Sequence, residues 1–245
     1  MTRNADIHPQ PMRQTASHDT PAARFARLIA GLLVLVALTS LGLYGFGWAL
    51  ALSLCVMTGI AFVAGRGLLD YPLDALGAAN SVTTLRAGMV AVVAGAIMQP
   101  EALGWLIFAI ATVAFAMDGL DGYLARRSGM ATAFGGRFDM EIDALFGAVL
   151  SVIILSAGLA GPEILILGFL RYVFVGASYV WPWMNGTLPD SMRRKIVCVI
   201  QIGVMIALIC PVMPAELGPV IAWGGTLALL WSFGADTLWL KRAAA

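Results

Sequence analysis

Five of the fourteen acidic residues of the chain fall between positions 118 and 143: Asp118, Asp121, Asp139, Glu141 and Asp143. Asp118 and Asp121 are three residues apart, and Asp139 and Asp143 four, so on helices each pair shares one face. Glu141 stands two residues from both Asp139 and Asp143 and points away from them. A hairpin between two such helices brings the pairs together beside apolar segments, where an uncompensated acid costs about 2.5–3.5 kcal/mol. Four converging carboxylates also repel one another. Two divalent cations would offset both costs, and oxygen-only ligation suits a hard ion such as Mg2+ or Mn2+. The histidines, His8 and His18, both lie in the N-terminal tail, which leaves the chemistry within the body to carboxylates. Two ions held this way can bridge a diphosphate and neutralise charge developing on a leaving phosphate.

Between the acids lie residues of matching character. Gly122 and Gly135 lack side chains where a diphosphate would approach the backbone. Ala125 keeps the same face low, and Arg126 offers a fork for phosphate oxygens. The two glycines would serve equally well for close helix packing in a membrane. The complete register, Asp118-x2-Asp121-Gly122-x2-Ala125-Arg126-x8-Gly135-x3-Asp139-x3-Asp143, resembles without departure the signature of the CDP-alcohol phosphatidyltransferase family. The motif spans 26 residues, and a looser resemblance runs from about Val82 to the C-terminus. It implies a six-helix family core and transfer of a phosphatidyl group from a CDP-linked lipid, usually CDP-diacylglycerol, to the hydroxyl of a small alcohol, with release of CMP. It also implies Mg2+ or Mn2+ held by Asp118, Asp121, Asp139 and Asp143, with Asp143 placed to take the acceptor proton. Asp121, Gly122, Ala125, Arg126 and Gly135 would line the site of the CDP-linked lipid. Direct in-line attack is expected, because no Cys or His is placed for a covalent intermediate.

Two basic positions stand out from the apolar segments. Arg171 lies near midspan, where an arginine by default suggests a functional cavity. Family members often carry an arginine on this helix and a lysine near the start of the next-to-last one, facing the acceptor; Arg171 and Lys195 fit those places. An intraprotein pair is the other reading of Arg171, with Asp236 on the last helix an available carboxylate. Asn80-x2-Thr83-x2-Arg86 looks like the polar start of the family's first core helix, read here as an N-terminal cap followed by a snorkelling arginine. Arg193 and Arg194 read as anchors at the membrane surface.

The elements that position these residues follow from composition. The 245 residues are 60% hydrophobic and only 12% charged, against roughly 25% charged in an ordinary soluble domain, and the mean hydropathy is +0.87. A water-soluble globule is excluded, and a net charge of +1 provides no basic field for nucleic acid. The apolar runs have helix length and lack the alternation of a membrane barrel. The expected fold is all-α and polytopic, with about eight transmembrane helices. Apolar segments run over about 28–46, 48–64, 82–98, 103–117, 142–159, 164–183, 196–213 and 220–240. Breaks fall at Pro100, Gly161-Pro162, Pro189 and Pro214. Residues 1–24 read as a disordered cytoplasmic tail, 25–79 as two additional N-terminal helices with their loop, and 80–245 as the family core. Cys55, Cys198 and Cys210 lie in apolar stretches and read as small core residues, too few and scattered for a disulfide framework.

If the tail is inside, eight crossings place both termini in the cytoplasm. The basic residues agree: Arg66, Arg126, Arg127, Arg137, Arg193, Arg194, Lys195, Lys241 and Arg242 all fall on the inner side, and the outer turns hold no Lys or Arg. The expected setting is therefore the cell's inner membrane, with the active site facing the cytoplasm. The expected partners are a CDP-linked lipid donor, a small alcohol acceptor, membrane lipids and a second copy in a homodimer. Two other functions use intramembrane carboxylates. A prenyltransferase acting on a lipid diphosphate separates its Asp motifs widely along the chain. A divalent-cation or proton-coupled transporter gives no reason for the Gly122-Ala125-Arg126-Gly135 register.

Overall fold

The computed structural model describes residues 20–68, 76–128, 132–189 and 191–244, leaving aside the side chains of residues 121, 123–126 and 128. Most of the segment read as a tail lies outside them. The described residues form eight α-helices and no strand: α1 (Pro21–Tyr44), α2 (Trp48–Gly67), α3 (Ala78–Ala94), α4 (Trp105–Ser128), α5 (Ala133–Ser156), α6 (Ile164–Val180), α7 (Met192–Leu208) and α8 (Gly218–Ala243). The protein is an all-α polytopic membrane protein. Pro21–Tyr44, Trp48–Gly67, Ala78–Ile97 and Ala215–Ala243 are long and apolar enough to cross a bilayer, while Trp105–Leu120 and Ile164–Val180 are shorter apolar stretches.

Local chemistry sets the helix ends. Thr20 caps α1 by accepting from the Ala23 amide at 3.2 Å, with Pro21 in the first turn, a position that suits a residue lacking an N–H. The helix therefore opens inside the segment 1–24 read as tail. It closes at Gly45, whose φ of 69° few residues other than glycine adopt. Thr132 caps α5 by accepting from the Gly135 amide at 3.0 Å. The cap starts α5 well before its apolar segment, and α4 likewise runs past its own to Ser128, so the acidic residues lie on helices rather than in the loop between them.

Each outer helix buries one stripe. On α1 this is Phe25, Ile29, Leu32, Val36, Ser40 and Tyr44, while Val34, Leu35 and Leu38 are exposed. Large apolar side chains such as Trp48, Phe62, Val173, Trp223, Leu227 and Trp231 cover the exterior, a surface suited to lipid and not to water. The same fact corrects the reading of the cysteines. Cys55 and Cys198 are exposed and Cys210 is half-buried; in a membrane body an apolar stretch often faces lipid instead of the core.

α3 is the central helix. In its most apolar stretch 72% of residues are buried, against 22% in α1 and 28% in α2, and it packs against α1, α2, α4 and α5. The two N-terminal helices are tied to it directly. The Tyr44 hydroxyl donates to the Val92 carbonyl at 2.8 Å. A Cβ on Gly95 would strike the Tyr44 ring and come within 2.7 Å of Ser53 Oγ. Gly95→Ala is therefore expected to cost about 1–3 kcal/mol through overpacking and to lower the melting temperature in detergent by about 3–10 °C. An unchanged melting temperature would show that this junction is loosely packed. On the other side, Gly168 of α6 fits against Ser151 and the Gly147 carbonyl of α5, where any side chain would collide.

Contacts between helix ends show that neighbours in sequence run antiparallel: Gly67 at the end of α2 meets Phe134 at the start of α5, Tyr44 at the end of α1 meets Val92 near the end of α3, and Gly218 at the start of α8 meets Leu159 just after α5. One end of the bundle therefore gathers the C-termini of α2, α4, α6 and α8 and the N-termini of the other four. Arg66, Arg137, Arg193, Arg194, Lys195, Lys241 and Arg242 belong to this end, whereas Glu101, Glu163 and Glu216 lie at or between helix ends on the opposite side.

Candidate active site

At the basic end, α4 contributes Asp118 and α5 contributes Asp139 and Asp143, one helical turn apart. One carboxylate oxygen from each can be chosen so that all three lie within 4.8 Å of one another. The side chains are 34%, 33% and 43% exposed respectively, open enough to meet a ligand yet drawn into the bundle. Three hard oxygen donors at this spacing fit a divalent cation. The two halves of the acidic motif thus meet where α4 and α5 both pack against α3. Asp121 lies on α4 one turn beyond Asp118, with its side chain outside the described residues, as are those of Ala125 and Arg126.

Beneath the carboxylates lies a residue whose role the sequence reading missed. Arg86 of α3 is 1% exposed and directs its guanidinium into the cluster. Nη1 donates to Asp118 Oδ1 at 2.6 Å. Nη2 donates to Asp139 Oδ1 and lies 3.0 Å from Asp143 Oδ1. Arg86 therefore does not snorkel to the surface. Asn80 is not a cap either: α3 is capped by Gly77, and Asn80 is buried, donating through Nδ2 to the Leu76 carbonyl at 2.7 Å. The signal was present in the sequence. Asn80, Thr83 and Arg86 recur every three residues down one side of a helix, and the acids, though given divalent ions, had no basic side chain assigned to them inside the body.

Gly135 of α5 lies against Asn80 of α3. A Cβ there would stand 2.7 Å from Asn80 Oδ1 and 3.3 Å from Thr132 Oγ1, so the open reading of this glycine as a packing residue has direct geometric support. Gly122, on α4 one residue beyond Asp121, is half-buried.

Arg171, in the middle of α6, donates to Glu141 Oε1 at 2.6 Å. The intraprotein partner is thus Glu141 and not Asp236. Glu141 turns away from the three aspartates, as its two-residue offset requires. Asp236 is instead held by α7: Arg193 donates to it and to the Ser232 carbonyl and lies 5.5 Å from the centre of the Trp231 ring, and Arg194 reaches the same carboxylate at 3.4 Å. Arg193 and Arg194 therefore clamp α7 to α8 as well as marking the basic end. Lys195 is exposed in the first turn of α7.

Fold and site together define a helical membrane protein with an oxygen-only, cation-ready cluster at the basic end of its bundle. The model of the family described as CDP-alcohol phosphatidyltransferase matches residues 76–231, and the chain belongs to that family. The match begins just before α3, takes in all of the carboxylate cluster and leaves α1 and α2 outside. No curated protein and no solved structure matches the chain.

Proposed function

We propose that the protein transfers a phosphatidyl group from CDP-diacylglycerol to the hydroxyl of a small alcohol, releasing CMP, as a step in making phospholipid. The family assignment supports phosphatidyl transfer from a CDP-alcohol in general and stands in place of the prenyltransferase and transporter readings. The observation that carries the finer reading is the convergence of Asp118, Asp139 and Asp143 within 4.8 Å.

In this reading Asp118, Asp121, Asp139 and Asp143 hold two Mg2+ or Mn2+ ions, which supply charge neutralisation along the diphosphate and acidify the attacking hydroxyl. Gly122, Ala125, Arg126 and Gly135, with Asp121, line the nucleotide side of the donor site. The acceptor oxygen attacks the phosphorus that carries the lipid, in line with the leaving oxygen of CMP. As the new O–P bond forms, the P–O bond to CMP breaks, and the hydroxyl proton passes to Asp143. Arg171 and Lys195 orient the acceptor. The enzyme works as a homodimer in the cell's inner membrane, with both termini and the site on the cytoplasmic side, in keeping with the basic residues gathered at that end.

The test is to incubate purified protein with CDP-diacylglycerol, Mn2+ and, separately, glycerol phosphate, inositol phosphate, serine and choline, measuring CMP and the new lipid together. Release of CMP in step with one product lipid is the expected result. Absence of CMP with every alcohol would overturn the proposal.

A further inference from the structure

Arg86 and Asp236 are the charged side chains buried most deeply among the described residues, and Arg86 is the deeper of the two at 1% exposure. A guanidinium in such a place persists only where its charge is met, because removing a charge from water without a partner costs several kcal/mol. Asp118, Asp139 and Asp143 meet it. The dependence runs both ways, since three carboxylates drawn this close repel one another and Arg86 is the described cation lying among them. Each carboxylate approaches Arg86 through Oδ1, and a carboxylate has two oxygens able to meet cations.

We propose that Arg86 is the resident counter-cation of the carboxylate cluster, holding the three aspartates in place before metal binds and opposing the metal's affinity once it does. The inference rests on the reading of the cluster as a divalent-metal site. Arg86 and a metal ion would draw on the same negative charge, so each weakens the other's attraction to it, and by linkage the effect is reciprocal. Arg86 is in this sense a positioning residue. It reaches the ligands from α3, outside the α4–α5 motif, and its contribution is greatest when the metal is gone.

The experiment uses the full-length protein in detergent, with Mn2+ as the probe. In the presence of a chelator, Arg86→Gln is expected to unfold on the order of 10 °C below the unaltered protein, as when one partner of a buried charge network is removed. Saturating Mn2+ should close at least half of that gap. Mn2+ should also bind the variant about tenfold more tightly by calorimetry or paramagnetic resonance, within the usual range of a coupling between two sites. Arg86→Lys, which keeps the charge but not the fork, should fall between the two, and it decides the matter by the same comparison if Arg86→Gln does not fold. Equal Mn2+-induced stabilisation of variant and unaltered protein, or weaker Mn2+ binding by the variants, would overturn the role given to Arg86 and leave the metal site standing. Failure of Mn2+ to bind or stabilise any of the proteins would overturn the metal reading and this inference with it.

Discussion

Asp139→Asn is expected to lower kcat by about three orders of magnitude while leaving the melting temperature within a few degrees of the unaltered protein. The amide is nearly the same size and keeps an oxygen for Arg86 to bond, and Asp118 and Asp143 still neutralise the guanidinium from either side. What is lost is a charged oxygen ligand for a hard cation. Several kcal/mol of charge stabilisation in the transition state correspond to roughly a thousandfold in rate. Glu141→Gln is the internal control. Glu141 lies on the same helix but turns toward Arg171, so its loss should stay below about tenfold and be confined to steps that involve the acceptor. Equal losses from the two substitutions would show that the catalytic face of α5 is wrongly assigned.

Arg171→Ala should raise the acceptor KM, or lower kcat, by about 10- to 100-fold, the range expected when a hydrogen bond to a charged group is removed. The KM for the lipid donor should be little changed. The pair with Glu141 is half-exposed on the arginine side and exposed on the other, and such pairs are worth at most about 1 kcal/mol. An acceptor carrying a phosphate would outcompete a single exposed carboxylate for the guanidinium. Steady-state kinetics with both substrates varied, alongside a melting curve, checks the prediction. If the variant is only less stable, or if the active acceptor is uncharged or zwitterionic, the phosphate role of Arg171 fails while the transferase reading survives.

Much of this was legible in the residues themselves. The eight apolar runs correspond one for one to the eight helices, because each crossing has to satisfy its own backbone and so needs a long apolar helix. The three- and four-residue spacing of the acids placed them on shared faces, and Asp118 meets Asp139 and Asp143 as expected, through the packing of α4 and α5 on α3. The extent of α4 and α5 was harder to read. Hydropathy marks where lipid begins, and helices continue beyond it when a cap such as Thr132 supplies hydrogen bonds for the first turn. The role of Arg86 was missed because the sequence was divided by hydropathy and motif. Residue 86 lies 32 positions before Asp118 in the chain, and only the docking of α3 against α4 and α5 brings the guanidinium to its partners. Arg171 offered the reverse difficulty: Asp236 was the carboxylate named for it as an intraprotein partner, and only the packing of α5 on α6 brings Glu141 to it instead.

The placement of α3 bears on how the protein is made. Its mean hydropathy of 1.3 is well below the 2.1 of α1 and 2.0 of α2, and it carries Asn80, Thr83, Thr84 and Arg86. An arginine near the centre of a lone segment costs about 2.5–3.5 kcal/mol on insertion scales, so α3 enters lipid alone at a greater cost than α1 or α2. It does not have to. The more apolar α1–α2 hairpin leaves the ribosome first, and the surface it presents to α3, with Tyr44 and Ser53 closing on Gly95, is protein and not hydrocarbon. The two helices that precede the family core thus offer α3 a protein surface on one side, and α4 and α5, made later, bring the aspartates that neutralise Arg86 on the other.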